Sequence, residues 1–447
     1  MEYRAFQSAV AAAAAAAGLT EYELYYAGSH SQALNAFEGQ IDGFSLEDTL
    51  GVCFRCIVDG KAGYASTELM TEEEAALLVE NARQSALYVE SDDPETLVRT
   101  ALSFPAAPVP PEVDTEAEIA AILEVERKAL SADPRITTTG YCRMMSGINE
   151  KGIFNSHGVD VSDRSEYYGW YVVPVATENG RTVNTMAFQI EREFASLDAD
   201  KLVAEAVENT LASLGAERPA SGKYKTVLDS YVVGDFLTTF ADVFSAEAAQ
   251  KGLSLLAGRE GERIASEIVT LTDDPLYEGA VFRSRFDDEG VACRAKHLVE
   301  GGKLQTLLYN RKTAAKAGRE TTGNAYKPGY SARVTVAPTN LYLQPGDTPL
   351  EGLFEQVGDG LYVTEVTGTH AGADAVSGDF SLEAKGFRIQ DGKKAGPVEL
   401  FTIAGNFFTL LGDIERIGSD LKFGFPSGAG QIGAPSVVVK SLSVAGE

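Results

Sequence analysis

Apolar residues at helical spacing alternate with strand-like stretches along the first part of the chain. An apolar stripe predicts a first helix, Tyr3–Ala17, which Gly18 closes. A second helix begins after Thr71, which forms a capping-box pattern with Glu74. Between the two helices, alternating apolar and polar residues predict strands near Glu23–Ala27, Ala33–Phe44, Leu50–Val58 and Ala62–Ser66.

The same order of elements recurs after a proline-rich stretch. A capped helix begins at Asp114 or Thr115, and a later helix ends at Gly215. Between them, strands are predicted near Thr137–Ser146, Ile153–Ser156, Val159–Thr177 and Arg181–Ile190. The Asn179–Gly180 pair predicts a hairpin between the last two strands. The pattern therefore predicts a duplicated helix–antiparallel-sheet–helix region.

The rest of the chain predicts a β-rich domain. One helix near Val233–Gln250 precedes strands and turns, which short helices around Lys312–Ala317 and Phe407–Ile417 interrupt. The turn-forming stretches FDDEG and VEGGK flank VACRAKHL as hairpin turns would. The predicted fold class is α+β. Its units are residues 1–90 and 113–220, with a proline-rich connector at 91–112 and the β-rich domain at 221–447.

Composition and charge narrow the possible partners and the location. With 44% hydrophobic and 23% charged residues, the chain has the composition of an ordinary globular protein. No apolar run has the ~20 residues that cross a bilayer, and Glu2 precedes the alanine run where a signal peptide carries basic residues. We therefore expect a cytoplasmic protein. Its net charge of −27 opposes binding to nucleic acid or to an anionic membrane.

Four cysteines offer one candidate motif, a C-x-x-C at Cys53 and Cys56. The surrounding GVCFRCIVDG predicts a strand, on which residues three apart point to opposite faces. A buried structural role is therefore favoured over redox or metal chemistry for both thiols.

The stretch HAGADAVSGDFS is the densest cluster of reactive side chains, and it allows two interpretations. A hydrolytic site would use Ser377 or Ser381 as nucleophile, His370 as base, and Asp374 or Asp379 to orient the base. A polar loop would use the same side chains to bond neighbouring backbone amides. Neither serine lies in a G-x-S-x-G pattern, so the loop interpretation is favoured.

Other polar residues predict ordinary surface roles. Lys316, Arg319 and Lys327 lie in a stretch predicted to be a solvated loop, with an acidic peptide or partner as the alternative contact. The three remaining histidines are predicted at a strand end, in a turn and on a hairpin strand: His30, His157 and His297.

Five segments carry a family resemblance. TIAGNFFTLLGDIERIGSDL, VSGDFSLEAKGFRI and FDDEGVACRAKHLVEGGKLQTLLYN resemble the C-terminal domain of the TldD/PmbA family, whose members are also called modulators of DNA gyrase. GVCFRCIVDGKAGYAST and NSHGVDVSDRSEYY resemble its N-terminal half. The resemblance implies a duplicated α+β region, a β-rich C-terminal domain, and a role in digesting unfolded peptides.

The family has two branches, which differ in their metal ligands. TldD-type chains carry His-Glu-x-x-x-His on a helix and a late cysteine, whereas PmbA-type chains, also called TldE, lack both. The matching helix here, VVGDFLTTFADVFSAEAAQKG, has no histidine, and KFGFPSGAGQIGAPSV has no cysteine. The four histidines are separated by at least 73 positions, so no two share a helix face. The chain resembles the PmbA/TldE branch.

The branch implies specific partners. We expect no metal or other cofactor in this chain, a zinc-type metal only in a TldD-like partner subunit, and an unfolded peptide as substrate. The resemblance places a loop near the cleft, with Gly378, Asp379, Gly405 and Asn406 as candidate substrate-binding residues. Two alternatives stay open: a stand-alone homodimer that binds peptides without cleaving them, and an independent hydrolase using the His370 loop. A homodimer is also expected for the isolated subunit.

Overall fold

The computed structural model describes residues 1–90, 93, 95–100, 102, 104, 114–426 and 428–447. In its N-terminal half, two helix–sheet–helix units share one antiparallel sheet, with strand order β3-β2-β1-β4-β5-β6 and β7 paired to β5. The elements are α1 (Tyr3–Ala16), β1 (Tyr22–Phe37), β2 (Gln40–Val58), β3 (Lys61–Thr67), α2 (Glu72–Leu87), α3 (Thr115–Ala132), β4 (Ile136–Asn155), β5 (Asp160–Glu178), β6 (Arg181–Asn184), β7 (Ala187–Glu191) and α4 (Ala199–Ala212).

Two helix pairs cover one face of this sheet. Leu24 and Leu34 lie on the same face of β1, because residues an even number apart on a strand point to one side. Leu24 packs in the core under α1 and α2, with Phe6 and Leu78. Leu34 packs in the core under α3 and α4, with Ile122. The middle of β1 lies between the two cores.

The strands are longer and fewer than predicted. The turn after β1 falls at Glu38 and Gly39, both with positive φ (53° and 76°), inside the predicted strand Ala33–Phe44. The predicted strands Thr137–Ser146 and Ile153–Ser156 are one strand, β4. The polar residues between those two predicted strands stay extended because β1 and β5 pair with β4 on its two sides. The Thr71 side chain accepts a hydrogen bond from the Glu74 amide, as predicted.

Most of the predicted connector, residues 91–112, lies outside the described residues. Within the described part, Leu97 and Val98 are buried. The Asn155 side-chain amide donates to the Val98 carbonyl at 2.7 Å. The division of the chain at residues 90, 112 and 220 stays a prediction.

The C-terminal half is rich in strands, and the predicted α+β class is confirmed. One sheet has the order β17-β16-β15-β8-β21-β18, and an added β17–β21 pairing closes five strands into a ring. A second has the order β11-β10-β9-β14-β20-β19. The strands are β8 (Gly222–Leu228), β9 (Leu271–Asp273), β10 (Lys296–Glu300), β11 (Lys303–Leu304), β12 (Ala325–Tyr326), β13 (Thr335–Val336), β14 (Leu341–Leu343), β15 (Gly360–Thr367), β16 (Asp379–Gln390), β17 (Lys393–Asn406), β18 (Ile414–Ile417), β19 (Lys422–Phe423), β20 (Ile432–Ala434) and β21 (Val437–Ala445).

Two predicted helices of this half are shorter than expected. The helix predicted near Val233–Gln250 divides at a 3₁₀ turn, Ala241–Phe244, after which Ser245 caps a new helix by accepting from the Ala248 amide. The helix predicted at Phe407–Ile417 ends at Gly412, because the next residues pair with β21. The helices are α5 (Ser230–Phe240), α6 (Ala246–Gln250), α7 (Arg311–Ala317), α8 (Leu350–Val357), α9 (Thr369–Gly372) and α10 (Phe407–Gly412). No described helix combines the length and apolar character needed to span a membrane.

Candidate functional site

Helix α5 and the HAGADAVSGDFS loop form one packed unit. Asp229 caps the helix by accepting a hydrogen bond from the Tyr231 amide at 2.9 Å. On the buried side of α5, the Phe236 ring lies 4.7 Å from the ring of Phe380, at the end of the loop. One turn later, Phe240 stacks on Phe407 at 4.6 Å. The Phe236–Phe380 contact holds the end of the loop against α5, and the Phe240–Phe407 contact holds the start of α10 beside it.

Polar side chains of the loop bond mainly to its own backbone and to each other. The Asp374 carboxylate accepts from the amides of Ser377 (3.1 Å) and Val376 (2.8 Å), and these bonds lower the pKa of Asp374. The Ser377 hydroxyl donates to Asp379 at 3.2 Å. The Asn406 side-chain amide donates to the Ser377 carbonyl and to the Asp379 carboxylate, both at 2.9 Å. The contacts support the loop interpretation.

Two glycines let aromatic rings approach this loop. Gly378 has a φ of +83°, and a Cβ there would lie 2.9 Å from the Phe408 ring. A Cβ on Gly405 would lie 2.9 Å from the Phe380 ring. Any side chain at either position would therefore displace an aromatic ring that packs beside α5 and the loop.

His370 stands apart from the candidate nucleophiles. It is exposed on the single turn α9, and its imidazole makes no hydrogen bond to the part of the chain that the structure describes. Ser381 is exposed on β16, where it pairs with Ala404. The geometry therefore provides no Ser–His contact of the kind that activates a nucleophile. The catalytic roles considered for these residues stay predictions.

The exposed side of α5 carries one carboxylate, Asp235, and two threonines. The hydroxyls of Thr238 and Thr239 donate to the carbonyls of Gly234 (2.9 Å) and Asp235 (2.7 Å), one turn earlier in the same helix. Asp235 is partly exposed, yet desolvation by its surroundings, with the carboxylates of Asp229 and Glu365, raises its pKa to about 6. This face presents no imidazole.

The donors needed for a metal site are dispersed. Among the described residues, no group of three or more His, Cys, Asp and Glu side chains could hold a metal ion. His157 bonds to Glu21 at 2.7 Å, and His297 bonds to Thr272 at 2.9 Å. His30 bonds to Asp48 from the middle of β1, so its predicted place at a strand end is wrong. The side chains present do not fit the metal site of a TldD-type chain.

The two cysteines of the C-x-x-C lie on opposite faces of β2, as predicted. Cys56 packs under α1 and α2, where burial raises the pKa of its thiol to about 11. Cys53 packs on the other face, beside Phe286 of the C-terminal half. Both are free thiols. The arrangement agrees with a structural role.

The predicted solvated stretch holds for Lys316 and Arg319, which are exposed, but it is wrong for Lys327, which is buried. Lys316 pairs with Asp93 at 2.7 Å, and Arg319 pairs with Glu260. Lys327 is buried, with its ammonium 4.6 Å from the centre of the Tyr25 ring. All three cations contact residues of their own chain. These partners are distant in sequence, so the contacts could not be predicted from local patterns.

A buried charge cluster joins the first unit to the C-terminal half. Arg55, only 4% exposed, lies 3.6 Å from Glu23 and 3.7 Å from Glu289. The FDDEG stretch forms the predicted turn, but it also delivers Glu289 to this cluster. Arg55 and Glu289 line a polar cavity of about 90 Å³, together with Tyr64, Glu95, Lys312 and Arg333. No local sequence feature indicates that Arg55 is buried, because arginine side chains are usually exposed.

The cluster predicts a pH-dependent contribution to stability. Burial, with the nearby carboxylates of Asp287 and Glu23, raises the pKa of Glu289 to about 7 from an ordinary value of 4.5. A raised pKa in the folded state stabilises the protein below the ordinary pKa, and this contribution is lost as pH rises toward 7. Relative to Glu289→Gln, wild type should lose about 1–3 kcal/mol of unfolding free energy between about pH 5 and about pH 7. Urea unfolding at both pH values measures this, and parallel changes in both proteins would contradict it.

Comparisons with known proteins agree with this architecture. Residues 221–446 match the model of the PmbA/TldA metallopeptidase C-terminal domain. Residues 108–214 match the central domain and residues 22–86 match domain 1 of the same proteins. A metalloprotease of Methanothermobacter thermautotrophicus is 30% identical over 434 residues, which cover 92% of each chain. Metalloprotease PmbA of Escherichia coli O157:H7 is 26% identical, covering 90% of this chain and 87% of that one.

Solved structures show the same fold. The crystal structure of TldE from Thermococcus kodakarensis superposes with a TM-score of 0.90 at 22% identity, covering 99% of this chain and 100% of that chain. A Thermotoga maritima protein described as a modulator of a DNA gyrase gives 0.89 at 28% identity, with the same coverage. Fold and sequence together define a metallopeptidase-like protein. The chain belongs to the PmbA/TldD family.

Proposed function

We propose that this chain is a PmbA/TldE-type subunit that holds no metal of its own and supports a TldD-type catalytic partner. The observation that carries the proposal is the exposed face of α5. Where a metal-binding helix needs imidazoles one turn apart, this face carries Thr238 and Thr239, whose hydroxyls are bonded to their own backbone. In this proposal the partner supplies the zinc-type metal, whose chemistry is the activation of water for peptide cleavage.

The chain's own contribution is to enclose and position an unfolded peptide. The rigid loop beside α5, with Gly378, Asp379, Gly405 and Asn406, would form part of the peptide channel. Its backbone is fixed by the bonds of Asn406 to Ser377 and Asp379. A channel built from backbone and small side chains is tolerant of sequence, which suits unfolded peptides of many kinds.

The proposal extends to location and other partners. We expect the protein to be cytoplasmic. We also expect it to bind neither nucleic acid nor membrane, because its charge of −27 repels phosphate groups. In the absence of its catalytic partner, the chain is expected to form a homodimer.

Co-expression with a TldD-type chain from the same genome tests the proposal. The two chains should co-purify, and together they should cleave a denatured, fluorescently labelled polypeptide much faster than either chain alone. Each chain purified separately is the matched control. If the two chains do not co-purify and the mixture is no more active than the TldD-type chain alone, the proposal is wrong.

His370→Ala separates this role from an independent hydrolase. Because His370 is exposed and its imidazole makes no hydrogen bond to the described residues, the variant should fold normally and support the partner's activity at the wild-type rate. The same assay of co-purified complexes measures this. A hydrolase using the His370 loop would instead lose its activity with this substitution.

A further inference from the structure

The outer edge of β2 is open over most of its length. Strand β1 pairs with β2 from Gln40 to Cys56, but β3 pairs on the other side only from Val52 to Val58. Within the described residues, no strand pairs with the outer edge of Gln40–Gly51. An unpaired edge presents a row of backbone donors and acceptors to which another strand can bond. We call the segment Gln40–Gly51 the open edge.

Apolar side chains project from the open edge into solvent. Phe44, Leu46 and Leu50 are 52%, 55% and 42% exposed. They lie opposite Leu34, Gln32 and Gly28 of β1 and therefore share the helix-covered face of the sheet. All residues from 44 to 50 are exposed. Folded proteins usually protect long edges with lysine, proline or a covering segment. The open edge contains neither lysine nor proline.

Charge distinguishes between possible occupants of the open edge. The segment contains Asp42, Glu47 and Asp48 and no lysine or arginine. Pairing with a second copy of this chain would place three carboxylates of one strand beside three of the other, which is unfavourable. A neutral or basic strand avoids that repulsion. Because the edge is long, apolar at alternate positions and part of a rigid sheet, it fits a folded partner chain.

We propose that the open edge is the surface that binds the TldD-type partner, which adds a neutral or basic strand to the seven-stranded sheet. This inference rests on the proposed function and specifies which surface makes the complex. Backbone hydrogen bonds along the edge and burial of Phe44, Leu46 and Leu50 hold the two chains together. The carboxylates favour the heterodimer over the homodimer.

A double substitution, Phe44→Lys with Leu46→Lys, tests the assignment. Both side chains are exposed, so thermal unfolding should match wild type, while charge on the edge blocks strand addition. The matched control is Leu77→Lys with Leu87→Lys, two exposed leucines of α2. The affinity for the co-expressed TldD-type chain should fall at least ~10-fold in the edge variant, which is about 1.4 kcal/mol, and stay at the wild-type value in the control.

The outcomes separate this inference from the proposed function. If wild type does not bind the TldD-type chain, the proposed function fails, and the inference fails with it. If wild type and the edge variant bind equally well, only the edge assignment is overturned. Light scattering of the isolated chains adds a further readout. An edge variant that no longer self-associates but still binds the TldD-type chain would show that the edge is a homodimer surface, which also overturns the assignment.

Discussion

Replacing Arg55 with methionine is expected to destabilise the folded chain by about 3–5 kcal/mol. The substitution keeps a long side chain but removes the cation that lies between the buried carboxylates of Glu23 and Glu289. Burial already raises the pKa of both carboxyl groups. Without the shared cation, each carboxylate must either stay buried without a partner or be protonated, and both outcomes cost stability. Urea unfolding at neutral pH measures the loss.

The control for this substitution is an exposed ion pair. Arg4 pairs with Asp160 on the surface, and its side chain is largely exposed. Arg4→Met should change the free energy of unfolding by less than about 1 kcal/mol. Equal effects of the two substitutions would mean that the Arg55 cluster contributes no more than a surface pair, which would contradict its role in joining the first unit to the C-terminal half.

Phe236→Ala is expected to destabilise the chain by a similar amount, about 3–5 kcal/mol. The Phe236 ring is buried and contacts both Phe240 and Phe380, so its removal leaves a cavity between α5 and the loop. The loop should then lose its fixed position, and the activity gained by adding this chain to its partner should fall. Urea unfolding and the co-purified peptidase assay measure the two effects separately.

An exposed phenylalanine provides the comparison. Phe44→Ala removes a ring that is not packed in the isolated chain, so its effect on unfolding should stay within about 0.5 kcal/mol. If Phe236→Ala left both stability and partner-supported activity at the wild-type level, the packed unit of α5 and the loop would have no role in the function proposed.

Local sequence signals predicted much of this fold. Thr71 marks a helix start through a bond to Glu74, and the turn at Asn179 and Gly180 joins β5 to β6 as expected. The extents of β1 and β4 were not predictable in the same way. Gly28 in the middle of β1 lies in a polar stretch, which is extended because β2 and β4 pair with it from distant parts of the chain.

The candidate site shows the same division. The turn-building roles of Asp374 and Ser377 follow from their spacing, because they bond within a few residues of themselves. The pairing of Lys316 with Asp93, or of Arg55 with Glu289, depends on how the two halves pack. Such contacts have no local signature, so the sequence alone supports only the general expectation that basic residues are exposed.

The proposed function requires that the exposed face of α5 can change without loss of the fold. Helix α5 is held from its buried side by Phe236 and Phe240, whereas its exposed side chains make few contacts that the core depends on. Ligands on that exposed face can therefore be replaced without loss of the helix. In the proposed function, Thr238 and Thr239 stand on the face where a catalytic chain would carry its metal ligands, and their hydroxyls bond to the helix backbone.

Metal content and peptidase activity of the purified chain, measured together on one preparation, test the central claim most directly. Elemental analysis should find far less than one zinc per chain, and the chain should not cleave a denatured polypeptide until a TldD-type partner is added. Stoichiometric zinc that survives dialysis, with chelator-sensitive cleavage by this chain alone, would contradict the claim.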